Sequence, residues 1–140
     1  MKKLFKRKTK TTEEKKINAP WTKYYGDVPT NLNYFQGTLA EMIENSANKY
    51  PELIAYEYYG LNCTYREFYK KVEETAKALK AQGVKENDRV TICMPNTPQG
   101  LFAFYAVNMI GAIANVIHPL SAEEEIEFYL NISESEILIT

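Results

Sequence analysis

One histidine, His118, and two cysteines thirty positions apart, Cys63 and Cys93, carry the most versatile chemistry in this chain. An imidazole can move protons or ligate a metal, and a thiolate can attack carbon or ligate a metal. Their number and spacing rule out a zinc-ligand cluster and a cysteine-rich secreted scaffold, so the cysteines read as two reduced intracellular thiols. No Gly-x-x-x-x-Gly-Lys-Ser/Thr sequence is present, and no glycine fingerprint lies between Met94 and Phe102. The residues left with a place for ligand contact are Asn96 and His118. Each follows a short apolar run read as a strand, and parallel sheets bind ligands at the carboxyl ends of their strands. Each also has a plainer reading: Asn96 as a turn residue bonded to its own backbone, His118 as a hydrogen-bonded loop histidine ahead of Pro119. No catalytic, cofactor-binding or metal-ligating residue is assigned.

The elements that must position these two residues are well punctuated. Three times a Ser or Thr precedes a Glu by three residues at the start of an apolar-periodic stretch: Thr38 with Glu41, Thr64 with Glu67, Ser121 with Glu124. These are capping boxes, which satisfy orphan donors at a helix start. Thr97 followed by Pro98 marks a fourth start. Gly83 and Gly111 close the helices that begin at Tyr65 and Pro98. On the Tyr65 helix, Phe68, Val72, Ala76 and Leu79 form one stripe, leaving Lys70, Lys71, Glu73 and Lys77 outside. Between helices, Ile54–Tyr59 and Asn62–Thr64 flank Gly60-Leu61 as a hairpin. Arg89–Met94, Ala112–Ile117 and Glu136–Thr140 read as continuous apolar strands covered on both faces, which belong to parallel sheets. The order predicts two successive βαβ units and an α/β fold. Upstream, Trp21–Gly37 shows no period and is expected to be an ordered loop whose aromatics pack onto the body.

With 140 residues, 45% apolar and 25% charged, the composition fits one soluble domain able to bury a real core, and is too short for a large multi-domain enzyme. Charge is unevenly spread: residues 1–16 sum to +6, leaving −7 on the other 124. The reading is a basic flexible tail over residues 1–19, with weak contact to anionic membrane as its other use, since Leu4 and Phe5 sit among the lysines. The acidic body excludes nucleic acid as a partner. From Val90 to Ala122 there is no charged residue, and Gly100–Ile117 approaches the length of a membrane span. Asn108, Gly111 and Asn115 interrupt it, which favours a buried helix followed by a buried strand.

The series Thr64-Tyr65-Arg66-Glu67-Phe68, Gly83-Val84, Asp88-Arg89-Val90, Met94-Pro95-Asn96-Thr97-Pro98, Gly111-Ala112 and Pro119-Leu120-Ser121 with Glu124 and Ile126 resembles the amino-terminal part of adenylate-forming ligases. Within them it is most similar to bacterial long-chain fatty-acid CoA ligases, over about residues 20–140. The resemblance implies a βαβαβ portion of the ligase N-terminal domain, preceded by a loop, a helix and a hairpin. It implies ATP, Mg2+ and CoA for a complete enzyme that makes an acyl-adenylate, releases pyrophosphate and lets the CoA thiol displace AMP. The glycine- and hydroxyl-rich phosphate loop, magnesium glutamate, ribose aspartate and carboxyl-terminal lysine of that chemistry have no counterpart in this sequence.

The expectation is therefore a partial ligase domain over 20–140, ending before the phosphate loop. It would be cytoplasmic or peripheral at the membrane, inactive alone and without a cofactor of its own. Its partner would be the remainder of the ligase chain, with self-association through an uncovered sheet edge as a second expectation. The alternatives are a self-sufficient small binding module on the same fold and a membrane-associated protein built on residues 100–117.

Overall fold

The structure, a computed structural model, describes residues 19–140; the basic segment over residues 1–16 lies outside the described residues. The chain divides into two units, Met1–Tyr34 and Phe35–Thr140. In the described part of the first, Pro20–Tyr24 form a 3-10 turn, and the Thr22 hydroxyl donates to the Ala19 carbonyl at 2.8 Å. Trp21 is 57% exposed and Tyr24 78%. One tight turn followed by irregular chain offers no repeating apolar face to bury.

The second unit begins with helix α1 (Leu39–Lys49), followed by strands β1 (Ile54–Tyr58) and β2 (Leu61–Thr64) and helix α2 (Tyr65–Ala81). Both helices start as their sequences dictate. The Thr38 hydroxyl accepts from the Glu41 amide at 3.1 Å while the Glu41 carboxylate accepts from the Thr38 amide at 2.6 Å, and Thr64 with Glu67 repeats the arrangement at 3.3 and 2.9 Å. The hairpin turns one residue earlier than the sequence suggested. Tyr59 and Gly60 occupy it with φ of +49° and +80°, and Leu61 joins β2 opposite Tyr58. Positive φ at both central residues is what matches a two-residue turn to the twist of its strands.

The rest alternates: β3 (Arg89–Ile92), α3 (Pro98–Ile110), β4 (Ile113–Val116), α4 (Glu123–Ser133) and β5 (Ile137–Ile139), with the strands parallel in the order β4-β3-β5. Each strand is shorter than its apolar run, because the flanking residues turn away into loops. Gly111, at φ +83°, ends α3 in the left-handed conformation, as its place in the sequence requires. The last capping box is corrected: α4 is capped from Ala122, whose amide donates to Glu125 at 3.2 Å, because Ser121 is drawn into a turn with its amide on the His118 carbonyl. Alanine offers no side-chain acceptor, so only half of the box forms.

The core lies where α3 packs on one face of the parallel sheet and α1 and α2 pack on α3. Phe68, Val72 and Ala76 of α2 join Ala103, Ala106, Val107 and Ile110 of α3 and Val90 and Ile92 of β3 in one buried cluster. Full burial of a side chain the size of Val72 or Val107 contributes about 1.5–3 kcal/mol. Because α3 is covered by helices on one side and the sheet on the other, it carries no charged residue. No helix among the described residues is long and apolar enough to cross a membrane, and Gly100–Ile117 is divided at Gly111 between α3 and β4. Its two asparagines are satisfied internally: Asn108 donates to the Phe104 carbonyl at 2.8 Å, and Asn115 to the hydroxyl of Thr91 at 3.0 Å.

The expectation that all three strands are covered on both faces holds for β3 alone. Val90, Thr91 and Ile92 are sealed, whereas Ile113 and Val116 of β4 stand 51% and 59% exposed and Leu138 of β5 is also exposed. Both are edge strands, and an edge strand of this short sheet has a helix over only part of one face.

Candidate functional site

The winding reverses at β3: α3 carries the chain to β4 on one side, and α4 returns it to β5 on the other. Since such crossovers are right-handed, α3 and α4 cover opposite faces. Val90 and Ile92 accordingly face α3, while Arg89, on the other face, pairs with Glu134 at the end of α4. The carboxyl edge beside such a reversal is where open α/β sheets bind ligands. The loop leaving β3, Cys93–Thr97, opens onto that edge.

Beside the loop lies a cavity of about 300 Å3, walled by Tyr56, Glu57 and Tyr58 of β1, floored by Ile92, Val116, Leu101 and Phe104, and rimmed by the chain from Met94 to Pro98. Gly100 lets the helix start come close: a Cβ there would sit 3.1 Å from the Pro95 carbonyl. Glu57 is the only charged group among the described residues of the lining. Pro98 has no amide hydrogen and the Gly100 amide is taken by the Thr97 hydroxyl at 3.3 Å, so this helix start is poorly supplied with donors for a phosphate. The surface suits an apolar group better than an anion.

Asn96 is exposed on the rim of this cavity. His118 is exposed on the same sheet edge, beyond β4, and does not line the cavity; its Nδ1 accepts from the Leu120 amide at 3.1 Å, and its carbonyl accepts from the Cys93 thiol at 3.7 Å. The two candidates are thus not brought into one constellation. Tyr56, which sequence reasoning passed over, is the most perturbed group nearby. Burial, the Cys63 thiol across the hairpin and the Glu67 carboxylate push its hydroxyl up to about 12, so it is a neutral donor at any physiological pH. The sequence signal was there in the alternation of Tyr56 and Tyr58 on one strand face. Among the described residues no three His, Cys, Asp or Glu side chains group to hold a metal.

An open parallel sheet with a helix on each face, a reversal at its first strand and a capped hairpin beside it define the class, and the chain belongs to the AMP-binding enzyme family, whose model matches residues 43–140. It is 30% identical over 122 residues to a long-chain-fatty-acid–CoA ligase of Bacillus subtilis, covering 86% of this chain and 22% of that one. An oxalate–CoA ligase of Arabidopsis thaliana is 34% identical over 74% of this chain and 20% of its own. Among solved structures, the N-terminal domain of FACL13 from Mycobacterium tuberculosis superposes with a TM-score of 0.70 at 28% identity, over 74% of this chain and 26% of that one. The N-terminal subdomain of Klebsiella oxytoca NpsA shares the fold at a TM-score of 0.73 and 21% identity, over 75% and 28%. The chain spans about a fifth of the length of the Bacillus and Arabidopsis ligases.

Proposed function

We propose that this chain forms the opening part of the N-terminal domain of an ATP-dependent acyl-CoA ligase, and that it serves there as scaffold without contributing a reacting group. The family match across residues 43–140 carries this reading. In the complete reaction the carboxylate attacks the α-phosphorus of ATP, pyrophosphate leaves, and the CoA thiol then displaces AMP from the acyl carbon. ATP and CoA belong to that complete enzyme, and the partner of this chain is the remainder of the ligase. A fatty acid is the favoured acid, supported by the similarity to the Bacillus ligase along 86% of the chain. Asn96, on the cavity rim, is the polar group proposed to meet whatever fills the cavity; His118 serves to hold the turn to Leu120. ATP and CoA chemistry suits a cytoplasmic location, with residues 1–16 as a weak contact to anionic lipid.

An ATP–pyrophosphate exchange assay with fatty acid tests the scaffold role. The chain alone is expected to give no exchange, since adenylyl transfer needs fixed donors around the phosphates. Exchange above a heat-killed control would overturn it.

A further inference from the structure

The loop from β4 to α4 turns around one residue. His118 accepts three times: its Nδ1 takes the Leu120 amide at 3.1 Å, and its carbonyl takes the Ser121 amide at 3.2 Å and the Cys93 thiol at 3.7 Å. An amide only donates, so the ring offers the lone pair of Nδ1 and carries its proton on Nε2. Helix α4, which this turn starts, is lightly held. It buries no residue, its N-cap Ala122 offers no side-chain acceptor, and its first internal bond runs from the Ile126 amide to the Ala122 carbonyl at 3.0 Å. Its far end is tied to β3 by the pair of Glu134 and Arg89.

A second proton on the ring removes that lone pair. Histidine is the side chain that ordinarily gains a proton between about pH 8 and 5, and both ring nitrogens then donate. The protonated Nδ1 would face the Leu120 amide donor to donor, so the ring must swing away and leave the amide to water. We propose that His118 is a proton-operated latch: neutral, it holds the turn and the start of α4; protonated, it releases Leu120 and lets the first turn of α4 fray. Little is in place to hold a charged ring. No charge lies between Val90 and Ala122, so the end of β3, all of α3 and β4, and the loop itself bring none, and β5 has none from Ile137 to Ile139. The Cys93 thiol meets the His118 carbonyl, not the ring. Helix α4 brings Glu123, Glu124 and Glu125; Glu125 is engaged with the Ala122 amide at 3.2 Å, and among the described residues no carboxylate pairs with the ring. The partial positive charge at the amino end of α4 also disfavours a cation beside it. The latch is a property of this turn alone, and its failure would leave the ligase reading intact.

A side-chain acceptor bonded to the amide two residues on has the span of an Asx turn, so asparagine can take the place of His118 without titrating. NMR of the whole chain from about pH 8 to 5 tests the latch. In the wild type the ring should show the Nε2–H tautomer at the upper end, and the Leu120 amide proton should move upfield in step with protonation of the ring. Protection of the Leu120 and Ile126 amides from hydrogen exchange, corrected for intrinsic rates, should fall about two- to tenfold over the same range, the worth of one net hydrogen bond. His118→Asn should keep both amides protected throughout, and His118→Ala should lack the protection at both ends of the range. A ring in the Nδ1–H tautomer, a Leu120 or Ile126 amide that ignores the titration of the ring, a His118→Asn chain that follows the wild-type pH course, or a His118→Ala chain as protected as the wild type would each overturn the proposal.

Discussion

Tyr59 sits at φ +49° in the hairpin turn with 90% of its surface exposed, and its ring meets that of Tyr58 edge to face with centroids 4.7 Å apart. A bulky residue in the left-handed region costs on the order of 1–3 kcal/mol, against roughly 0.5–1.5 kcal/mol for a well-formed aromatic pair. Strain should win, because exposure weakens the pair. Tyr59→Asn is therefore expected to raise stability by about 0.5–1 kcal/mol in urea denaturation, and a fall would mean that the ring contact outweighs the strain. The Thr91 hydroxyl is completely buried and accepts from Asn115 at 3.0 Å. Asn115→Ala should cost about 1–3 kcal/mol by leaving that hydroxyl unpaired, and adding Thr91→Val should recover most of the loss. If the double variant is as unstable as the single one, the bond is not what Asn115 supplies. Neither residue's role was legible in the sequence. A tyrosine beside a glycine gives no sign of which two residues make the turn, and an asparagine inside an apolar run looks like an interruption until its cross-strand partner is known.

At the scale of elements, the short-range signals read well because their physics is local. Thr38 with Glu41, and Thr64 with Glu67, cap helices where their spacing says they should, and Thr97 does so ahead of Pro98. Where a tertiary turn competes, the local signal slips: the His118 carbonyl takes the Ser121 amide and α4 begins a residue late. Burial of the strands was the least legible feature, since apolar runs alike in sequence become one sealed strand and two edges once the order β4-β3-β5 is set. The caps also give a pH dependence. The Thr64 backbone amide and hydroxyl hold the Glu67 carboxyl below its ordinary 4.5. A carboxylate with a lowered folded-state pKa stabilises fully above the unfolded value and loses that contribution as pH falls through the folded one. Glu67→Gln keeps a capping side chain without the titration. The melting temperature of wild type should therefore exceed that of the variant at pH 6, and the gap should narrow as pH drops below 4.5. A gap constant down to pH 3 would show that ionisation of Glu67 contributes nothing.

For the whole molecule, the ordered series of short motifs from Thr64 to Ile126 was informative where no single residue was, and the family match over residues 43–140 rests on the same stretch. The cavity beside β1 was not legible, because it is assembled from a hairpin, a loop and a helix start that lie far apart in sequence. The scaffold role is tested most directly by transplanting it. In the Bacillus subtilis long-chain-fatty-acid–CoA ligase, the 122 residues similar to this chain would be replaced by the corresponding residues of this sequence, and fatty-acid-dependent ATP–pyrophosphate exchange measured on the purified, cooperatively melting chimera. Exchange above the no-enzyme control is the result expected of a segment that positions the reacting groups and supplies none. A chimera that folds cooperatively and gives no exchange would contradict it.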